Sequence, residues 1–142
     1  MLVLRDDIMK KICSHAQNEY PKECCGILLG QRMREQRIAY KVIQTKNMTE
    51  SHQNTTHFSM DPLELLKVDS IAEEEKLEIV GFYHSHPNYE AVVSNADKLH
   101  MIQEYSYPII SVKNGLCVNV NSFEIKTQDG PYIKEEILVK EK

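Results

Sequence analysis

His84-Ser85-His86 sets two imidazoles two residues apart. On a β-strand such residues project to the same face, roughly 6.5–7 Å apart along the backbone, so both rings can converge on one ion. Zinc accepts histidine nitrogen at about 2.0–2.1 Å. A His-x-His pair alone is weak support, because histidines at a strand end also serve as ordinary polar groups. Asp97 adds a third donor. It follows His86 by a loop and one helical turn, a path that can return a carboxylate to the strand end. Two histidines and one carboxylate leave a fourth position for water, the arrangement of catalytic zinc. Ser94-x-x-Asp97 is equally the spacing of an ordinary capping box, and the two readings are compatible. A helix N-terminus also orients the Ser94 hydroxyl toward a developing anion. A zinc hydrolase needs a base for its water as well. Glu23 is a candidate, lying just after Pro21-Lys22 where a helix gives way to an apolar run. Most glutamates are surface residues, and spacing alone does not decide its role. His15, His52, His57 and His100 lack a matching partner pattern and read as surface or packing residues. His100, three residues past Asp97, could also support a ligand from behind.

These side chains need elements to carry them. Ile8, Met9, Ile12, Cys13 and Ala16 form a helical stripe over residues 6–19, closed by Pro21. Cys24 to Leu29 reads as a buried strand, with a hairpin neighbour over 36–46. Residues 47–57 are polar and read as a loop. Asp61-Pro62-Leu63-Glu64 opens a helix that runs to about Lys76. Leu77 to His84 is the strand that delivers the histidines. Residues 87–93 form a loop, and Ser94 starts a third helix ending near Tyr105. Tyr107–Lys113, 116–126 and 132–139 read as strands, with turns at Asn114-Gly115 and Asp129-Gly130. This order of helices and strands around one sheet predicts a mixed α/β (α+β) fold.

The chain has 142 residues, 42% of them hydrophobic and 27% charged, which predicts one globular domain over 1–142. The net charge of -4, with the two signs interspersed, disfavours an electrostatic nucleic-acid or membrane role. Arg32, Arg34 and Arg37 are a candidate local basic patch. Early charges at the N-terminus and the lack of a long apolar run predict a cytoplasmic protein with no membrane partner. Cys13, Cys24, Cys25 and Cys117 contain no Cys-x-x-Cys pair, and Cys24-Cys25 reads as buried packing in a reducing compartment.

His84-Ser85-His86-Pro87 followed by Ser94-x-x-Asp97 resembles the signature of the JAMM metalloproteases, the catalytic MPN or Mov34/PAD-1 family. Pro21-Lys22-Glu23-Cys24-Cys25-Gly26-Ile27-Leu28-Leu29-Gly30 resembles the segment bearing that family's catalytic glutamate, and Gly81-Phe82-Tyr83 matches the usual lead-in. The resemblance implies a cytidine deaminase-like MPN domain, a curved mixed sheet packed between helices. It implies one zinc per chain held by His84, His86 and Asp97, Glu23 as the base, and Ser94 as the hydroxyl that stabilises the oxyanion. It implies hydrolysis of a peptide or isopeptide bond at the C-terminal tail of a ubiquitin-like or sulfur-carrier protein. Many relatives carry proline before the serine, where this chain has Val93, so the 88–93 loop is less constrained. The chain is short, as in compact prokaryotic forms.

Two alternatives compete. A non-catalytic MPN scaffold typically loses a ligand or the glutamate, and this chain keeps them. A RadC-like, DNA-associated protein shares His-x-His and Ser-x-x-Asp, but the glutamate segment and the acidic charge disfavour it. A zinc deaminase would need His-x-Glu and Pro-Cys-x-x-Cys, and neither is present. Substrate identity and oligomeric state are not legible in the sequence.

Overall fold

The computed structural model describes residues 1–49 and 60–141. Strand β1 (Leu2–Arg5) leads directly into helix α1 (Asp6–Glu19), whose first turn carries Asp6 and Asp7 at the positive end of the helix dipole. Strands β2 (Cys25–Met33) and β3 (Gln36–Thr45) form an antiparallel hairpin. Helix α2 (Pro62–Glu75) opens with the Asp61 side chain accepting from Leu63 N. Strand β4 (Glu78–Pro87), the short helix α3 (Asn95–Leu99), and strands β5 (Tyr107–Lys113) and β6 (Leu116–Ile125) follow. Asn114 and Gly115 both have positive φ, as the tight β5–β6 turn requires. Strands β7 (Tyr132–Glu135) and β8 (Ile137–Lys140) complete the chain.

The strands form one mixed sheet in the order β7-β6-β5-β4-β2-β3-β1-β8. β1 runs parallel to β3 and β8, and β4 runs parallel to β5. β7 and β8 sit at opposite ends of this order, yet only Glu136 separates them. The sheet must therefore curl until its two ends approach each other. The expected curved mixed sheet is present, but residues 132–139 are two strands rather than one. The break has a pairing cause: β7 adds to β6, while β8 adds to β1. Strand β1 is a further difference. Its Leu2-Val3-Leu4 run is too short to announce itself, and it is buried because it lies between β3 and β8. The third helix is five residues long, not twelve. The loop expected over 47–57 falls mostly outside the described residues, as do His52 and His57.

Helices cover both faces. Ile8, Ile12 and Ala16 of α1 pack on Leu4, Leu28, Val80, Ile110 and Val112. Val68 and Ala72 of α2 pack on Ile27 and Leu29 from the other side. The side-chain alternation of β2 thus sends Leu28 one way and Ile27 and Leu29 the other. A bulge in β4 leaves Val80 as the extra residue between Gly81, opposite Leu28, and Ile79, opposite Leu29. Beyond it, Tyr83 and Ser85 face the α1 side, and Phe82, His84 and His86 face the side of α2 and α3. Gly26 lies opposite Tyr83. A Cβ on Gly26 would sit 2.3 Å from the Tyr83 ring, so only glycine lets that ring lie over β2. The Tyr83 hydroxyl then meets His15 Nδ1 at 2.7 Å, which makes His15 a buried packing histidine.

Two of the three arginines are held by acidic partners. Arg32 pairs with Glu78 and stacks on Tyr105, and Arg37 pairs with Glu124 at 3.1 Å and Glu135 at 3.6 Å. Among the described residues, no helix is long and apolar enough to cross a membrane.

Candidate active site

The site forms where the C-terminal end of β4, the start of β2 and the N-terminus of α3 meet. His84 and His86 stand on one face of β4, buried to 3% and 5% exposure. Their Nε2 atoms are 3.1 Å apart. Asp97 reaches both: Oδ1 lies 3.1 Å from His84 Nε2 and Oδ2 lies 3.1 Å from His86 Nε2. Ligands of a tetrahedral ion at about 2.0–2.1 Å are separated by about 3.3–3.4 Å. The three donors therefore already stand close to the edges of such a tetrahedron. They crowd slightly because hydrogen bonds hold them together. The donor set, two imidazoles and a carboxylate, is the borderline chemistry zinc prefers.

His86 and Asp97 are oriented from behind. His86 Nδ1 donates to the Glu90 carbonyl at 2.8 Å, which turns its Nε2 into the cluster, 3.1 Å from Asp97 Oδ2. Asp97 Oδ2 accepts from Ser94 N at 3.0 Å, and Asp97 N donates to Ser94 Oγ at 3.0 Å. The capping box read from the sequence is therefore present, and it aims Asp97 at the histidines. Ser94 Oγ accepts one bond there and keeps its own O–H for another acceptor.

Glu23, 4% exposed, lies beside this triangle. A carboxylate oxygen of Glu23 and ring nitrogens of His84 and His86 all fall within 4.8 Å of one another. That trio could also hold a metal. The 3.1 Å contacts of Asp97 make His84, His86 and Asp97 an alternative trio, with Glu23 beside it. Two bonds hold the Glu23 backbone in place. Cys24 N donates to the fully buried Ser85 Oγ at 2.8 Å, and Asn47 Nδ2 donates to the Glu23 carbonyl at 2.9 Å. Sequence reasoning missed both residues. Ser85 was within reach of it: as the middle of His-x-His it must point to the opposite face, behind the ligands. Asn47 gave no signal, since it comes from a loop whose path is set by β3.

Electrostatics differ sharply across the cluster. Burial pushes the Glu23 carboxyl up to about 7; the His86 charge opposes this and the Asp97 charge adds to it. Burial also raises the Asp97 carboxyl, but hydrogen bonds from His84 and His86 outweigh it and hold the group well below the usual carboxylate range. Burial lowers His84. For His86 burial works in the same sense, but the Asp97 and Glu90 hydrogen bonds prevail and raise it. The two neighbouring carboxyls are thus pushed apart, Asp97 toward the ionised form and Glu23 toward neutrality.

A cavity of about 470 Å³ opens beside His84 and Asp97. Met60, Leu65, Phe82, Ile102 and Tyr107 give it apolar walls, and exposed His100 stands at its margin. His100 caps the C-terminus of α3 rather than backing a ligand in the described contacts.

A curled mixed sheet with helices on both faces thus carries a buried His-His-Asp cluster at the end of β4. The chain belongs to the Prok-JAB family, the prokaryotic homologues of the JAB domain, whose model matches residues 5–126. This is the prokaryotic branch of the JAMM/MPN proteins. It is similar to the CysO-cysteine peptidase of Mycobacterium tuberculosis, at 29% identity over 99% of this chain and 92% of that one. It is similar to the desampylase of Pyrococcus furiosus, at 35% identity over 53% of this chain and 49% of that one. Among solved structures, a Desulfitobacterium hafniense protein superimposes with a TM-score of 0.86 and 35% identity, covering 100% of this chain and 94% of that one.

Proposed function

We propose that the chain is a zinc metallopeptidase that hydrolyses the peptide or isopeptide bond at the C-terminal tail of a ubiquitin-like or sulfur-carrier protein. The observation that carries this reading is the 3.1 Å triangle of His84, His86 and Asp97 with Glu23 beside it. Zinc bound there would supply a Lewis acid for the scissile carbonyl and acidify water to near-neutral pKa. Glu23 takes the proton of the attacking water and delivers it to the departing amine. A carboxyl poised at about 7 is matched to that exchange at neutral pH. Ser94 donates its free O–H to the oxygen that becomes negative as the carbonyl is attacked. Retention of every donor and of Glu23 argues against the non-catalytic scaffold.

The apolar cavity beside His84 suits the tail and its flanking side chains. An extended tail also needs backbone partners. Lys41–Thr45 of β3 pairs only with β2 among the described residues, so its outer edge is available for strand addition. Glycines at the cleaved end let the tail backbone approach the buried donors closely. The names of two relatives, a CysO-cysteine peptidase and a desampylase, support hydrolysis of such tails. We further propose a cytoplasmic setting, which fits the buried free thiols of Cys24 and Cys25.

The test is to incubate the zinc-loaded protein with ubiquitin-fold proteins bearing an extension or a lysine adduct after a C-terminal Gly-Gly. Mass spectrometry should find cleavage after the second glycine, abolished by a chelator. Cleavage of unrelated peptides with all of these left intact would refute the substrate class.

A further inference from the structure

Two thiols outside the site face each other across the contact between α1 and β6. Cys117 Sγ lies 2.7 Å from Cys13 Sγ, although 104 positions separate them in the chain. A disulfide needs a sulfur separation of about 2.05 Å, so the remaining movement is about 0.65 Å, within reach of small side-chain rotations. The backbones are already held together at this point. Cys117 N donates to Gln17 Oε1 at 2.8 Å, and Gln17 lies four residues after Cys13, on the same face of α1. Both cysteines are partly exposed, so a small reagent can reach them. Cys24 and Cys25 are different. They are buried, and burial pushes their thiols up to about 12 and about 11, which keeps them protonated and unreactive. Cys117 carries the more acidic thiol of the outer pair, because the hydrogen bond between the two sulfurs lowers it and raises Cys13.

We propose that Cys13 and Cys117 form a reversible disulfide that staples α1 to β6 when a low-molecular-weight disulfide is present. The Cys117 thiolate attacks one sulfur of the small disulfide and expels its other half as a thiolate. Cys13, losing its proton to that thiolate, attacks Cys117 Sγ and expels the second half, which is protonated from solvent. The two protein thiols are oxidised by two electrons, and the small disulfide is reduced to two small thiols. The staple closes a loop of about a hundred residues, so it strongly restricts the unfolded chain. It joins α1 to the sheet away from His84 and His86, which face the α2 and α3 side. Hydrolytic turnover is therefore unchanged by it.

The experiment treats the zinc-loaded full chain with oxidised glutathione, alkylates remaining thiols, and maps peptides by mass spectrometry. The expected product is a peptide pair linking Cys13 to Cys117, with Cys24 and Cys25 alkylated only after unfolding. The melting temperature should rise by roughly 10 °C and return with dithiothreitol. Cys13→Ser and Cys117→Ser should each give a glutathione adduct or no change, without the thermal gain. Adducts on both cysteines of the wild type without a link, a link through Cys24 or Cys25, or a linked chain that melts no higher would each overturn the proposal.

Discussion

Glu23→Gln should make the metal-free protein more stable above neutral pH while it disables the site. The Glu23 carboxyl titrates at about 7 in the fold against an ordinary value of 4.5, with burial as the main cause. A folded value above the unfolded one means that the native state holds its proton more tightly. Stability is then fully present below about pH 4.5 and falls as pH rises through 7. Moving from 4.5 to about 7 corresponds to about 3 kcal/mol of destabilisation at pH 8. Glutamine keeps the shape and removes the charge. Urea titrations of chelator-stripped wild type and variant should therefore diverge with pH, the variant gaining up to about 3 kcal/mol between pH 5 and 8. Zinc should shrink the difference, because a cation beside Glu23 offsets the burial of its charge. A stability difference that stays flat across that pH range in the metal-free proteins would refute the reasoning.

The other outcomes follow from single contacts. His84→Ala or Asp97→Ala should drop bound zinc from about one per chain to near none by elemental analysis, since each removes one of only three ligands. Glu23→Gln should retain zinc and lose about 10²–10⁴-fold in turnover, and Ser94→Ala should retain zinc and lose about 10²–10³-fold, both read on a Gly-Gly-extended substrate. Ser85→Ala should leave Cys24 N buried without its acceptor. That costs about 1–3 kcal/mol in a denaturation midpoint and lowers turnover by loosening Glu23, with zinc content unchanged.

The site was more legible than the frame that holds it, and the reason is physical. His84, His86, Ser94 and Asp97 are linked by local rules. Strand alternation puts the two imidazoles on one face, and the capping box turns Asp97 back toward them. Such rules act over a few residues and can be read from spacing. Glu23 depends on a contact across 61 positions, the bond from Cys24 N to Ser85 Oγ, and spacing could not choose it; only the likeness of its segment to a known pattern did. The sheet ends were harder still. Leu2-Val3-Leu4 and Ile137-Leu138-Val139 acquire their strand character from pairing with each other, in a parallel register that links the two chain ends. Nothing local distinguishes Leu2-Val3-Leu4 from a plain terminus, and although 132–139 reads as strand, nothing local marks Glu136 as the break between two. The third helix failed in the opposite sense. Its helical pattern continues past Leu99, but Met101 is drawn into the core with Ala91, Tyr107 and Phe123, and the Tyr107 hydroxyl takes the Ile102 N–H that a longer helix would have used. That early ending keeps α3 to little more than the capped turn that presents Asp97, and the chain past it is free to form the Ile102 wall of the cavity beside His84 and Asp97.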